Sequence, residues 1–354
     1  MEPFIITKTT QSKLPQVDFN NLAFGKYFTD HLLEANYING AWQTPEIKPY
    51  GPILMDPAAS CLHYGQEIFE GIKAEKNSTN RIAIFRPDQN LIRFNLSAER
   101  MKMPTIPDWI FIDGMKKLIE VDKDWVPNKP EHALYIRPFM FSTEASLGVK
   151  PSNAYKFIII LSPVGPYFNN SSAPLKILVE ETFTRAVKGG VGFSKNAGNY
   201  AVTLLPAKLA NEKGYDQILW TDPNDRNIIQ EVGMMNVMFY IGDTVYTPSL
   251  EKGTILNGVT RNSVIDLLKK KNIPVVEKNI TIQEIIEAYK KGILKEIFGT
   301  GTAAVILTIQ ELRYKDFSMK FNPEKWSVAP ELKNTLCDIK SGKIADEMNW
   351  LCWV

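Results

Sequence analysis

The hydrophobic positions of this chain change period several times, and each change marks an element. Residues 82–86, Ile-Ala-Ile-Phe-Arg, are apolar and β-branched and read as a strand that Pro87 stops. Leu91, Phe94, Ala98 and Met101 then recur at helical spacing, with Asp88 as the expected cap. Residues 37–42 read as a strand running into an Asn39-Gly40 turn. Further strands are expected at 133–141, 156–161, 175–180, 217–221, 237–241 and 244–247. A helix is expected over about 201–213, ending at Gly214; Pro206 inside it predicts a kink or a late start. Residues 256–260, Leu-Asn-Gly-Val-Thr, predict a turn opening a helix through Leu268. Thr281 and Glu284 form a capping box for a helix over 282–291. Residues 297–309 read as a strand interrupted by Gly299-Thr300-Gly301-Thr302. Strands and helices interleave in both halves, so the expected class is α/β or α+β.

A chain of 354 residues is too long for one ordinary core and suits two domains. Residues 162–174 crowd Pro, Gly, Asn and Ser together and read as an interdomain linker. The expected division is an N-terminal arm over 1–35, a small domain over 36–161, the linker, and a large domain over 175–354. An apolar fraction of 44% and a net charge of +2, with no block of five like charges, argue for a globular protein whose partners are not nucleic acids. No apolar run reaches the length of a membrane span. The first residues lack both a signal peptide's apolar core and a transit peptide's Arg-rich helix. Cys61, Cys337 and Cys352 have neither metal-like nor redox-like spacing, which points to a reducing cytoplasm. His31, His63 and His132 are scattered, so no metal site or histidine-based triad is expected. Chemistry must run on Lys, Tyr, Arg and carboxylates.

The densest candidate is Lys195, bracketed by Gly189, Gly190, Gly192 and Gly198. A phosphate-binding loop of the Walker type needs Gly before its Lys and Ser or Thr after it, and the neighbours here are Ser194 and Asn196. The remaining readings are a solvated loop lysine or a lysine that forms Schiff bases with carbonyl compounds. Glu231 lies in an apolar stretch and needs a partner, either a structural cation or a protonated heterocyclic nitrogen. Gly258-Val259-Thr260 offers backbone N–H groups at a helix start, an anion site or an ordinary cap. Residues 299–304 fit Gly-x-Gly-x-x-Ala, but residues 305–309 read as strand rather than helix. They are therefore read as a carboxylate nest, not a dinucleotide fingerprint. Tyr135 and Arg137 share one strand face, which suggests a carboxylate ligand or, more plainly, a surface Arg.

These segments together resemble the branched-chain amino-acid aminotransferases, pyridoxal-phosphate enzymes of fold type IV. The motifs occur in family order: His63-Tyr64 to Lys73, Phe85-Arg86-Pro87, Tyr135 to Pro138, Ser146-Leu147-Gly148-Val149, Pro163-Val164-Gly165, the Lys195 segment, Glu231-Val232-Gly233 and Gly301-Thr302-Ala303. The resemblance implies a two-domain fold with pyridoxal 5'-phosphate carried covalently by Lys195. Tyr200 would hydrogen-bond the cofactor's phenolic oxygen, and Glu231 would pair with its ring nitrogen. Arg93, the Val259 and Thr260 backbone and the Thr300 hydroxyl would hold the phosphate, with Leu256 against the ring. Tyr135 and the Thr302–Ala303 turn would take the substrate α-carboxylate, and Arg137 the distal carboxylate of glutamate. Phe69, Tyr64 and Tyr167, with Leu147 and Val149 from a second subunit, would shape the apolar pocket of a homodimer. Arg185 would sit near the cofactor.

The implied reaction moves the amino group of leucine, isoleucine or valine to 2-oxoglutarate by ping-pong kinetics. Four positions depart from the family pattern: Met234 in place of Thr, Ala197 in place of Gly, and Ala304 and Leu307 in place of a Cys-x-x-Cys pair. The rival readings are another type IV enzyme (a D-amino-acid or amine transaminase, or aminodeoxychorismate lyase) and a non-catalytic binder of phosphate ligands.

Overall fold

The computed structural model describes residues 4–165 and 173–354. The chain forms two compact units, Met1–Tyr167 with Ser194–Ala197 and Asp338–Val354, and Phe168–Phe193 with Gly198–Cys337.

The first unit is built on a mostly antiparallel sheet. Its order is Ile5–Ile6, Glu46–Pro49, His31–Ile38, Tyr155–Val164, Ala133–Ser142, Ile72–Lys76, Ile82–Phe85 and Leu351–Trp353. Glu67–Phe69 pairs beside Ala133–Ser142, with Glu67 opposite Phe141 and Phe69 opposite Phe139. Strand alternation sorts the two faces. Leu134, Ile136 and Met140 join Phe94, Phe111 and Phe157 in the core, while Tyr135, Arg137 and Phe139 face the other way and are half-buried. The helix Pro87–Arg100 sends Phe94 and Ala98 into that core.

Its start corrects one expectation. Arg86, in the left-handed region with φ 48°, is the N-cap, Pro87 takes the first helical position and Asp88 lies in the first turn. Proline suits that position because the missing N–H has no partner there, and an acidic side chain in the first turn meets the positive end of the helix dipole.

The second unit carries a sheet in the order Ile229–Val232, Gln217–Thr221, Leu175–Val179, Val305–Tyr314, Leu294–Gly301, Asn236–Ile241, Thr244–Pro248 and Val275–Lys278. Helix Ile282–Lys290 starts on the Thr281–Glu284 capping box and buries Ile282, Ile285 and Ile286 against the sheet. Pro206 produces a late start: the helix is Leu204–Glu212, with the proline in its first turn, after a separate short helix Gly198–Ala201. Gly299, Thr300 and Gly301 are strand residues, and the reversal falls at residues 302–304, followed by Val305 at φ 62°.

The division of the chain also differs from the expected one. His31 to Ala35 belong to a buried strand, not to an arm. Ser162 to Val164 continue the Tyr155–Val164 strand, so the linker does not begin at residue 162; most of it, residues 166–172, lies outside the described residues. The last residues return to the first unit because Leu351–Trp353 pairs antiparallel with Ile82–Phe85. A three-residue strand leaves too short a pattern to read. No helix among the described residues is long and apolar enough to cross a membrane.

Candidate active site

In the first unit the candidate site is the polar face of the sheet. Ser194–Ala197 is fastened there through its backbone. The Lys195 N–H donates to Ser97 Oγ (2.9 Å), its carbonyl accepts from the Phe69 N–H (3.0 Å), and Asn196 bridges Ile68. Ser97 itself donates to the Arg93 carbonyl, so its hydroxyl is used in both senses. A lysine held this way is not a solvated side chain on a loose loop. Its Nζ lies 4.5 Å from the centroid of Phe69, a ring that the Arg137 guanidinium also approaches, at 4.8 Å.

Arg137 Nη2 donates to the Tyr135 hydroxyl (2.9 Å), so the strand face does join these two residues as its period requires. Two buried polar atoms on this face have no partner among the described residues: Arg137 Nε, and the hydroxyl of Ser162, which stands directly across from Tyr135. A side-chain methyl at Gly71 would land on the Tyr135 hydroxyl, so only glycine lets the phenol settle there. Phe24 packs edge-on against the Tyr135 ring at 5.0 Å.

Arg93 is buried in a forked ion pair with Glu70, Nε to Oε1 and Nη2 to Oε2, each 2.7 Å, and Asn90 adds a third donor at 2.8 Å. Burial pushes the Glu70 pKa up, but the charge and hydrogen bonds of Arg93, with help from Lys195 and Asn90, outweigh it and hold the carboxyl below its ordinary range. Sequence reading missed Glu70. The signal was a carboxylate next to Ile68-Phe69 and Ile72, in the break between two short strands.

Tyr64 ends the short helix Ser60–Tyr64, and its hydroxyl donates to the Leu147 carbonyl (2.5 Å). Leu147 and Val149 are exposed, Val149 at 85%, on the same unit as the wholly exposed Leu54. Tyr167 lies outside the described residues.

In the second unit the candidate site gathers around Glu231. Its Oε2 is 3.0 Å from Arg185 Nη2, and its Oε1 accepts from the Leu256 N–H (2.8 Å) and Asn236 Nδ2 (3.1 Å). Asn236 also donates to the Leu256 carbonyl (2.9 Å), so one amide locks the Leu256 backbone to the carboxylate. On the neighbouring strand Asn236 pairs with Thr300, whose hydroxyl is buried without a partner among the described residues.

Gly258, the N-cap of helix Val259–Lys270, lies so close to the Asn236 side chain that any Cβ would collide with it. That helix has no side-chain cap, and Val259 and Thr260 open it from buried positions. An uncapped helix start with an orphaned hydroxyl on the adjoining strand fits a phosphate group. A buried carboxylate held by one arginine and two neutral donors fits a cationic nitrogen. Tyr200, in the Gly198–Ala201 helix, and the Thr302–Ala303 turn are half-buried. Met234 is exposed beside Gly233, and the φ of Ala197 is not positive.

Comparison with known proteins adds the following. The family described as amino-transferase class IV matches residues 67–312. The chain is 47% identical over 348 residues to branched-chain-amino-acid aminotransferase 2 of Bacillus subtilis (strain 168), covering 98% of this chain and 96% of that protein. It is similar in fold to the branched-chain aminotransferase of the thermophilic archaeon Thermoproteus uzoniensis, solved with norvaline, at a TM-score of 0.75 and 22% identity over 90% of this chain and 98% of that one. It is also similar to the T.th. branched-chain amino acid aminotransferase complexed with N-(5'-phosphopyridoxyl)-L-glutamate, at a TM-score of 0.70 and 23% identity with the same coverage.

Proposed function

We propose that this chain, which belongs to the class IV amino-transferase family, is a branched-chain-amino-acid transaminase. It exchanges the amino group of leucine, isoleucine or valine with 2-oxoglutarate, using pyridoxal 5'-phosphate. The observation that carries the reading is the fastening of Lys195 beside Phe69 on the sheet face that holds Tyr135 and Arg137. It puts a carbonyl-reactive amine, an aromatic wall, and a phenol and guanidinium suited to carboxylates on one surface.

Each residue then has a task. In the second unit the Val259 and Thr260 N–H groups and the Thr300 hydroxyl would hold the cofactor phosphate, and the family resemblance gives Arg93, which Glu70 fixes in the first unit, a phosphate-binding role as well. Glu231 keeps the ring nitrogen protonated, and Asn236 and the Leu256 N–H orient it for that purpose. Tyr200 would donate to the phenolic oxygen, and Leu256 would lie against the ring. When bound, the cofactor supplies the electron sink that makes the substrate Cα–H acidic. Lys195 Nζ would carry the cofactor and, as the free amine, would be the base that takes the substrate Cα proton. Tyr135 and the Thr302–Ala303 backbone hold the α-carboxylate.

Phe69, Tyr64 and Tyr167 accept the apolar side chain, and Arg137 receives the distal carboxylate in the glutamate half-reaction. Leu147 and Val149 are both exposed, so a second copy could cover them in the homodimer that the family resemblance implies, where they would complete the pocket. No disulfide joins Cys61, Cys337 or Cys352, which is compatible with a cytoplasmic enzyme. The test is a panel of amino donors with 2-oxoglutarate as acceptor. Turnover confined to branched L-amino acids supports the reading; preference for D-amino acids or amines would replace it with a different type IV enzyme.

A further inference from the structure

On the sheet face bearing Phe69 and Tyr135, Arg137 and Glu67 each lack a hydrogen-bonded ion pair among the described residues. Arg137 makes no ion pair among the described residues: Nη2 serves the neutral Tyr135 hydroxyl, the guanidinium carbon lies over the Phe69 ring, and Nε is buried without an acceptor. Glu67 stands two residues before Phe69 on the same short strand, so its side chain points to the same face. Its pairing with Phe141, and that of Phe69 with Phe139, place it on the face from which Arg137 also projects. Ile68, between them, is fully buried on the opposite side.

The Glu67 carboxylate has no hydrogen-bond donor among the described residues. Burial raises its pKa, and the Arg137 charge opposes that rise. The thiol of Cys61 has its pKa raised by burial first, and the Glu67 charge adds to the effect. Glu70, the next carboxylate along the chain, is committed to Arg93 and cannot serve Arg137.

A pocket that accepts both leucine and glutamate faces an electrostatic problem. With leucine bound, a guanidinium at the apolar wall has no substrate charge to meet, which is costly in a desolvated setting. With glutamate bound, the distal carboxylate supplies that charge. We infer that Glu67 is a specificity-determining residue: its carboxylate is the resident counter-charge of Arg137 and restrains the binding of dicarboxylic substrates relative to branched-chain ones. The inference rests on the branched-chain reading above and gives it a residue that sets the balance between its two kinds of substrate.

The test compares wild type, Glu67→Gln and Glu67→Asp, all loaded with cofactor, in steady-state assays with leucine and with glutamate. Glu67→Gln should lower KM for glutamate and leave its kcat near the wild-type value. The glutamate-to-leucine ratio of kcat/KM should then rise about tenfold, because a like charge is removed from the face that receives the distal carboxylate. Glu67→Asp keeps the charge and should keep the ratio. An unchanged or lower ratio in Glu67→Gln overturns the inference, and so does an equal change in both variants, which would trace the effect to side-chain shape. If wild type turns over neither donor, the branched-chain reading itself fails. Calorimetric binding of glutarate to the three proteins then decides Glu67 separately: tighter binding to Glu67→Gln alone supports the counter-charge, and equal binding to all three overturns it.

Discussion

Arg185 and Glu231 face each other as a buried ion pair, Nη2 to Oε2 at 3.0 Å, with side chains only 7% and 6% exposed. A carboxylate so placed has an anionic role fixed before any ligand arrives. Removing the arginine weakens the support of Glu231, leaving it the neutral Leu256 N–H and Asn236 amide as named donors. Arg185→Met should therefore destabilise the protein by about 3–5 kcal/mol, the usual cost of stranding one member of a buried pair. Adding Glu231→Gln should recover part of that loss. Denaturant unfolding of both single variants and the double variant measures the coupling; strictly additive losses would mean that the pair is not energetically joined.

Glu231→Gln alone should slow turnover far more than it weakens cofactor retention. A neutral amide cannot hold a proton on the ring nitrogen, whereas the phosphate contacts at Val259, Thr260 and Thr300 are untouched. By analogy with other lost electrostatic contacts the barrier should rise by about 2.7–4 kcal/mol. Rate at saturating cofactor, set beside the cofactor dissociation constant, separates the two effects. Equal rates for variant and wild type would remove Glu231 from the reaction.

The sequence made the site's residue types legible and left much of their support hidden. Lys195, Glu231 and the Tyr135–Arg137 pair stand out because each breaks a local rule: a lysine among glycines, a carboxylate in an apolar run, two polar residues at strand period. Their partners are remote in sequence and obey no local pattern. Ser97 reaches Lys195 across 98 residues, Arg185 reaches Glu231 from another segment, and Phe24 covers Tyr135 from a stretch with no periodicity. Strands with clean alternation were readable almost to their ends, as with Ala133–Ser142. Short pairings such as Ser194–Ala197 against Glu67–Phe69, or Leu351–Trp353 against Ile82–Phe85, are tertiary facts with no periodic signature.

Arg137→Met should discriminate between substrates. The change keeps the stem and removes a charge that only a second carboxylate needs. One charge-assisted hydrogen bond is worth roughly 1.5–3 kcal/mol, so kcat/KM for glutamate should fall about 10- to 150-fold. The value for leucine should change much less. Equal losses for both donors would move Arg137 to the shared α-carboxylate.

Glu70 should make stability depend on acid. Its folded pKa lies below the ordinary value of 4.5 because Arg93 and its other donors outweigh the effect of burial. For a depressed carboxylate the stabilisation is complete above the unfolded pKa and is lost as pH falls through the folded one. Unfolding free energy should thus decline below about pH 4.5, and the slope there should be shallower in Glu70→Gln, which has no proton to gain. Matching acid slopes in the two proteins would show that Glu70 titrates alike when folded and unfolded.

The most direct test of the account is a single half-reaction. Purified protein carrying pyridoxal phosphate is mixed with leucine and no acceptor, beside Lys195→Ala treated identically. The wild type should show a visible absorbance band that borohydride removes, and should lose that band on adding leucine as one equivalent of 2-oxo acid appears per site. Subsequent 2-oxoglutarate should restore the band. Lys195→Ala should stay folded, since its loop is fastened by backbone hydrogen bonds, yet release no 2-oxo acid. A colourless wild type, or a Lys195→Ala protein that converts leucine at a rate near wild type, would contradict the central claim.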